Sequence, residues 1–384
     1  MALRVWSPGR VNLIGDHTDY LGGLALPFAI PLGIRFEVEA SDGRISLRSD
    51  RDDASCDVEL PCADPARVEP RWARYVAAVA EELSEATSPA SSTGMSAVTT
   101  AAAPTIGLRG SLASTLPLGS GLSSSAALSI GVAAALQAVR GVTEWDRRQL
   151  SLIAQAAEQR ASGVPCGLLD QYAIAFGEPG CVTRIDFSAD TVTPVSVPDG
   201  VDFWIIHSGV ARELSGSEYG TRRAQCEAAE TVIGPLAAAS LDDLDAFDSL
   251  DERRGFDELV ERRRFGSTDG SAAETLRRRA RHVITENARV DAMIAALKAS
   301  AFDDAGAILR EGHRSLAIDF ETSTPVVDQL IEHLMATPGV HGARMTGGGF
   351  GGCVVAMTTP GIDPTPAGLR GWHVRPSIGV SLEA

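Results

Sequence analysis

No stretch of about 20 uncharged apolar residues occurs in the 384-residue chain, so the sequence offers no helical membrane span. Cysteine is sparse. Cys56, Cys62, Cys166, Cys181, Cys226 and Cys353 make no C-x-x-C pair and join no Cys/His cluster of zinc type, and they read as reduced, mostly buried thiols. Basic residues are in deficit: 34 Lys and Arg face 50 Asp and Glu, a formal charge of −16. That balance is a poor match to nucleic acid or an anionic membrane, and neither partner is expected. The opening residues, MALRVWSPGRVN, have too short an apolar run for a secretory signal, which points to the cytoplasm. There is no internal repeat, and the Gly/Ser stretch 116–127 is neither a G-x-x-x-x-G-K-[ST] loop nor spaced as G-x-G-x-x-G.

What is present belongs to a globular chain. Hydrophobic residues make up 44% and charged residues 22%. The length allows two or three domains and at least one large core. Residues 1–60 read as strand-rich, with Leu24–Ile30 and Ile34–Ala40 as separate runs. The spacing of Trp72, Val76 and Val79 predicts a helix over Arg71–Glu82, and the Ser/Thr/Ala/Pro run 84–104 reads as a surface loop. Thr105–Ser114 is expected as a strand. Ala126–Val139 is apolar almost all round and is expected as a buried helix. Leu150–Ala161, Ser217–Ile233, Asp257–Arg264, Ala272–Ser300 and Pro325–Met335 read as helices, Cys181–Phe187 and Asp202–His207 as strands, and Gly339–Thr358 as strand, glycine loop and strand.

Four segments carry polar chemistry. In LPLGSGLSSSAA, residues 116–127, two glycines and three serines precede a helix. Free N–H groups and the partial positive charge of a helix N-terminus, reached by a flexible backbone, suit a phosphate; a serine-capped turn before a core helix would look the same. In SPGRVNLIGDHTDYLGG, residues 7–23, Arg10, Asp16, His17 and Asp19 crowd between apolar residues. That pattern suits a polyol ligand, or a hydrogen-bonded turn with an ion pair. In GVPCGLLDQYA, residues 163–173, Asp170 sits in an apolar stretch and must be paired or strongly hydrogen-bonded. In RMTGGGFGG, residues 344–352, five glycines require an unusual backbone path, around a ligand or through a tight hairpin.

Taken in order, these segments resemble the GHMP family of small-molecule kinases, and within it the galactokinase branch. SPGRVNLIGDHTDY resembles the branch signature, LPLGSGLSSSAA the second GHMP motif and MTGGGFGG the third. RWARYV, AEQRASGVPCGLLDQYAIAFG, SGSEYGTRRAQC, RARHVITEN, GHRSLAIDFETSTP and VRPSIG extend the likeness along nearly the whole chain, and 84–104 looks like an insertion. The resemblance implies an α+β fold of two domains. One is ribosomal-S5-domain-2-like, over residues 1–195; the other is ferredoxin-like, over 196–384; the site lies between them. It implies transfer of the ATP γ-phosphate to the anomeric hydroxyl of galactose, with Mg2+, by a monomer. Asp170 and Arg10 are implied as catalytic. Asp16, His17, Asp19, Gly167 and Tyr219 are implied as sugar-binding. Gly119, Ser120, Gly121, Leu122, Ser123, Ser124, Ser125, Ala126 and Trp72 are implied as ATP-binding, with Tyr75 near the adenine, and Ser125 and Glu158 as magnesium ligands.

Three positions depart from the pattern: Asp16 stands for the usual Glu, Leu21 for a common Asn, and Glu213 for a frequent His. Shortening the side chain at position 16 bears on which sugar fits. The competing readings are a kinase of N-acetylgalactosamine, galacturonate or arabinose, and a catalytically silent galactose sensor. HTDY rather than HIDY, and an uninterrupted Gly121–Ala127 loop, favour the galactose enzyme.

Overall fold

The computed structural model describes residues 2–87, 106–117, 119–210, 216–248 and 271–383. The first half contains β1 (Leu3–Asn12), β2 (Leu24–Ala25), β3 (Pro27–Asp42), β4 (Arg44–Ser49) and β5 (Cys56–Glu59). Next come α1 (Ala73–Thr87), β6 (Ile106–Ser114), α2 (Ser124–Ala138), α3 (Arg147–Ser162) and α4 (Leu169–Ala175), then β7 (Cys181–Asp186) and β8 (Thr191–Ser196). The second half contains β9 (Asp202–His207), α5 (Gly216–Ile233), α6 (Ser271–Lys298), α7 (Phe302–Ile318) and α8 (Pro325–Met335). It closes with β10 (Val340–Met345), β11 (Cys353–Thr358), β12 (Arg370–Val374) and β13 (Ser381–Glu383).

The strands form three sheets, ordered β13-β1-β3-β6-β4-β5, β10-β11-β9-β12 and β2-β7-β8. In β3, Ile34, Phe36 and Val38 alternate inward, the period of a sheet with one buried face. Apolar almost all round, α2 is buried over most of its length. Gly131 in α2 lies against the Phe36 ring, where a Cβ would overlap Cε2. Phe36 is itself fully buried and has nowhere to retreat. Gly131→Ala is therefore expected to lower the unfolding free energy by about 1–3 kcal/mol through overpacking. Chemical denaturation of the two proteins checks it.

Two apolar cores are joined by strands that face both. Cys353, Val355 and Met357 of β11 belong to the core under the first sheet, while Val354 and Ala356 face the core formed with α5, α6 and α8. In β9, Phe203 and Ile205 face the first core and Ile206 the second. Strands covered on both faces read as continuous apolar runs, as DFWIIH and CVVAMT do. The last strand returns to the first sheet, with β13 antiparallel to β1 through Arg4–Glu383, Val5–Leu382 and Trp6–Ser381.

Several expectations shift. The two runs 24–30 and 34–40 are mostly one strand, because Gly33 packs flat against Ser7 and Pro8 instead of turning the chain. The helix expected over 71–82 starts at Ala73 and continues to Thr87, where a loop was expected from Ser84. The remainder of the expected loop, the helix expected over 257–264 and Glu213 all lie outside the described residues. No described helix is long and apolar enough to cross a membrane. All six cysteines are free thiols.

Candidate active site

The end of β1, the start of α2 and the start of α4 meet at one cavity. A register shift between Pro8 and Arg10 breaks the β1–β3 ladder. Gly9 is needed there, since a Cβ would press on the Leu122 carbonyl and the Leu116 side chain. Arg10 then holds the loop before α2 twice. Its backbone N–H donates to the Leu122 carbonyl at 3.4 Å, and Nη1 donates to the Gly121 carbonyl at 2.7 Å. Arg10 Nε donates to Asp170 Oδ1 at 2.7 Å, while the Ser123 hydroxyl donates to Asp170 Oδ2. The two ends of this ion pair differ in exposure: the Arg10 side chain is 4% exposed, the Asp170 side chain 31%. The carboxylate thus keeps an open edge toward the cavity.

Ser123 precedes α2 with φ of 59° and gives that helix no side-chain cap. With the Ser123 hydroxyl turned to Asp170, the first turn of α2 has no side-chain cap, and Gly119, Ser120 and Gly121 before it line the cavity wall. Ser125 Oγ donates to Glu158 Oε1 at 2.5 Å, and Gln171 Nε2 to Glu158 Oε2 at 2.8 Å. Burial pushes the Glu158 carboxyl up to about 7, against the Ser125 hydrogen bond and with repulsion from Asp170.

The opposite wall comes from residues 15–19. Asp19 Oδ2 accepts the Leu169 N–H at 3.3 Å. Gly167 lies so close that any Cβ there would overlap the Asp19 carboxylate. Burial pushes Asp19 up to about 6; the Leu169 N–H opposes this and Asp170 adds repulsion. Asp16 also rises to about 6 through burial, against Arg344 and with repulsion from Glu286. Its Oδ2 accepts from Arg344 Nη2 at 2.7 Å and its Oδ1 from the Gly347 N–H at 3.2 Å. His17, at φ of 65°, lies with its ring centroid 4.6 Å from that of Phe320 and 5.5 Å from that of Tyr219.

The cavity therefore gathers Arg10, Asp16, His17, Asp19, Glu158, Gly167, Asp170, Tyr219 and every residue from Gly119 to Ser125. Two expected residues are not in its wall. Ala126 is buried inside the first turn of α2, and Trp72 packs against the first core, its Nε1 buried without a hydrogen-bond partner. Tyr75 and Arg71 reach the cavity instead. Asn12, Gln171, Gly347 and Gly348 are among the residues that also line it without having been singled out as site residues. For Asn12 a signal existed: it follows Arg10 by two on a strand and so shares its face.

A loop of glycines and serines before a buried helix, beside a carboxylate with an open edge, on this pair of linked cores, defines a class. Models of the GHMP kinases N terminal domain and the GHMP kinases C terminal match residues 74–178 and 293–364, and the galactokinase galactose-binding signature matches 3–39. A galactokinase of Mycobacterium bovis is 39% identical over 363 residues, 93% of this chain and 89% of the relative. The human galactokinase is 36% identical over 370 residues, covering 92% and 83%. The crystal structure of Lactococcus lactis galactokinase complexed with galactose superposes with a TM-score of 0.80 at 26% identity, over 99% of this chain and 95% of that one. The chain belongs to the galactokinase family of GHMP kinases, with the α+β fold that family implies.

Proposed function

We propose that this chain transfers the γ-phosphoryl group of ATP to the anomeric hydroxyl of D-galactose, giving galactose 1-phosphate. The observation that carries the reading is the position of Asp170, between the loop before α2 and the 16–19 segment, with an open edge toward the cavity. In this reading Asp170 accepts a hydrogen bond from the anomeric hydroxyl and takes or orients its proton. Arg10 holds the carboxylate and the loop carbonyl at once, which sets the hydroxyl against the phosphate. Asp16, His17, Asp19, Gly167 and Tyr219 hold the sugar. The N–H groups and hydroxyls of Gly119–Ser125 hold the phosphates, and Tyr75 borders the nucleotide end.

Ser125 and Glu158 fit a magnesium ion, being a hydroxyl and a carboxylate in direct contact and both hard oxygen donors. The described residues contain no group of three or more His, Cys, Asp or Glu that could hold a metal by themselves. This suits an ion that takes most of its ligands from phosphate and water. When bound, Mg2+ would offset charge on the transferring phosphoryl group. We place the division between the two halves at residues 195 and 196, with β13 returning to the first sheet, and read the protein as a cytoplasmic monomer whose partners are ATP and a sugar.

A coupled ADP-release assay over galactose, glucose, N-acetylgalactosamine, galacturonate and arabinose tests the reading. Galactose is expected to have the highest kcat/KM, because a cage of buried polar groups rejects a sugar that leaves one unpaired. Asp16→Glu is expected to keep galactose turnover within about threefold, since the carboxylate type is retained and one methylene in a pocket is a modest change. A higher kcat/KM for any of the other four sugars on the wild-type protein would transfer the assignment to that sugar.

A further inference from the structure

Arg344, in β10, is fully buried and stands between two carboxylates. Its Nη2 meets Asp16 Oδ2 at 2.7 Å and its Nη1 meets Glu286 Oε1 at 2.8 Å. Glu286, from α6, is also fully buried. It reaches the same segment directly, since Oε1 accepts the N–H of Gly15 at 2.9 Å and of Asp16 at 3.3 Å, while Oε2 pairs with Arg289 at 2.6 Å. One turn earlier on α6, His282 Nε2 donates to the Asp16 carbonyl at 3.1 Å. Space for the guanidinium is left by Gly312 in α7, where a Cβ would lie 2.6 Å from Nη1. Asp16 in turn accepts the N–H of Gly347, which lines the cavity beside it. Elements far apart in sequence thus converge on one carboxylate.

We propose that Arg344, oriented by Glu286, is a positioning residue for the sugar end of the cavity, fixing the Asp16 carboxylate and the Gly347–Gly348 backbone in one frame. The inference rests on the galactokinase reading given above. A guanidinium suits the task because its planar fork serves two carboxylates at once, which an ammonium cannot do in fixed geometry. Among the described residues the pair bonds to neither Asp170 nor the loop before α2, so its loss is a loss of sugar binding and not of phosphoryl transfer.

The test compares Arg344→Lys, Glu286→Gln, Asp16→Asn and the double variant Asp16→Asn/Arg344→Lys by steady-state kinetics with galactose and ATP. Arg344→Lys is expected to raise the galactose KM by about tenfold or more, with kcat and the ATP KM within about twofold, the signature of lost ground-state binding. Glu286→Gln keeps an acceptor for the Gly15 and Asp16 N–H groups and is expected to show the same split at smaller size. In the double variant the galactose KM is expected to match that of Asp16→Asn alone, because Arg344 then has no carboxylate to position. Effects on KM that multiply in the double variant, or a loss carried by kcat or the ATP KM, would overturn the proposal. If Arg344→Lys does not fold, Glu286→Gln decides by the same split. Wild-type protein without galactose turnover would instead remove the underlying reading, so the two failures are distinct.

Discussion

Asp170→Asn is expected to lower kcat by about 10²–10⁴-fold, the range for losing a proton-transfer group, while ATP and sugar still bind. The substitution is isosteric. An Asn oxygen can keep the bond from Arg10 Nε, and its amide can face the Ser123 hydroxyl, which also accepts. The framework that Arg10 maintains with Gly121 and Leu122 does not pass through Asp170 and stays in place. What disappears is the negative charge and the basic oxygen on the open edge of the carboxylate. Steady-state kinetics with parallel calorimetry separates the two outcomes. Near-normal turnover would remove Asp170 from the reaction and, with it, the observation on which the functional reading stands.

Acidification is expected to reduce sugar kcat/KM by up to about 100-fold between pH 7 and pH 5, because two carboxylates must each shed a proton for binding. Asp16 and Asp19 both sit near 6, raised by burial from an ordinary 3.8. In the proposed role the ionised groups would accept hydrogen bonds from sugar hydroxyls; protonated, each offers one acceptor fewer. Stability moves the other way. A carboxyl raised on folding contributes stability that is fully present below its unfolded value and lost as pH rises through the folded one. Acidification from pH 7 to pH 5 therefore strengthens the fold at these two positions. Glu286 has the opposite sign. Burial alone would raise its carboxyl, but Arg344, His282 and Arg289 outweigh that and hold it well below its ordinary 4.5. Its contribution is present above that ordinary value and is lost only as pH falls beneath it. The activity loss at pH 5 should thus be reversible, with unchanged circular dichroism. Flat activity from pH 7 to pH 5 would dismiss Asp16 and Asp19 as sugar ligands.

Much of the architecture was legible because period and composition act locally. The all-apolar run of α2, the strand Asp202–His207 and the helix Pro325–Met335 with Thr324 as its cap need only neighbours in sequence to be recognised. The join of Leu24–Ile30 to Ile34–Ala40 was not legible, because Pro31 and Gly33 signal a break that pairing with β1 on one side overrides. The displacement of Trp72 from the cavity wall has a similar cause. A large aromatic beside a site motif satisfies either a ligand or a core, and only packing chooses.

The sequence by itself determined the kinds of group present at the site: a glycine-serine loop before a buried helix, an isolated carboxylate in an apolar stretch, and a polar cluster at the end of β1 and after it. Each depends on residue type at short spacing, and short spacing survives folding. Only the tertiary structure decided what those groups face. Arg10 and Asp170 are 160 positions apart, and Asp16 and Arg344 are 328 apart. Over such separations no local periodicity relates two side chains. The first contact is set by α4 packing against β1, the second by β10, which carries Arg344 and pairs with β11, a strand whose two apolar faces join the cores. A buried charge must find its partner wherever that packing puts it. For that reason Asp16 could be read in the sequence as a shortened sugar ligand, while its role as one end of a chain through Arg344 to Glu286 became visible only when the two halves were in contact.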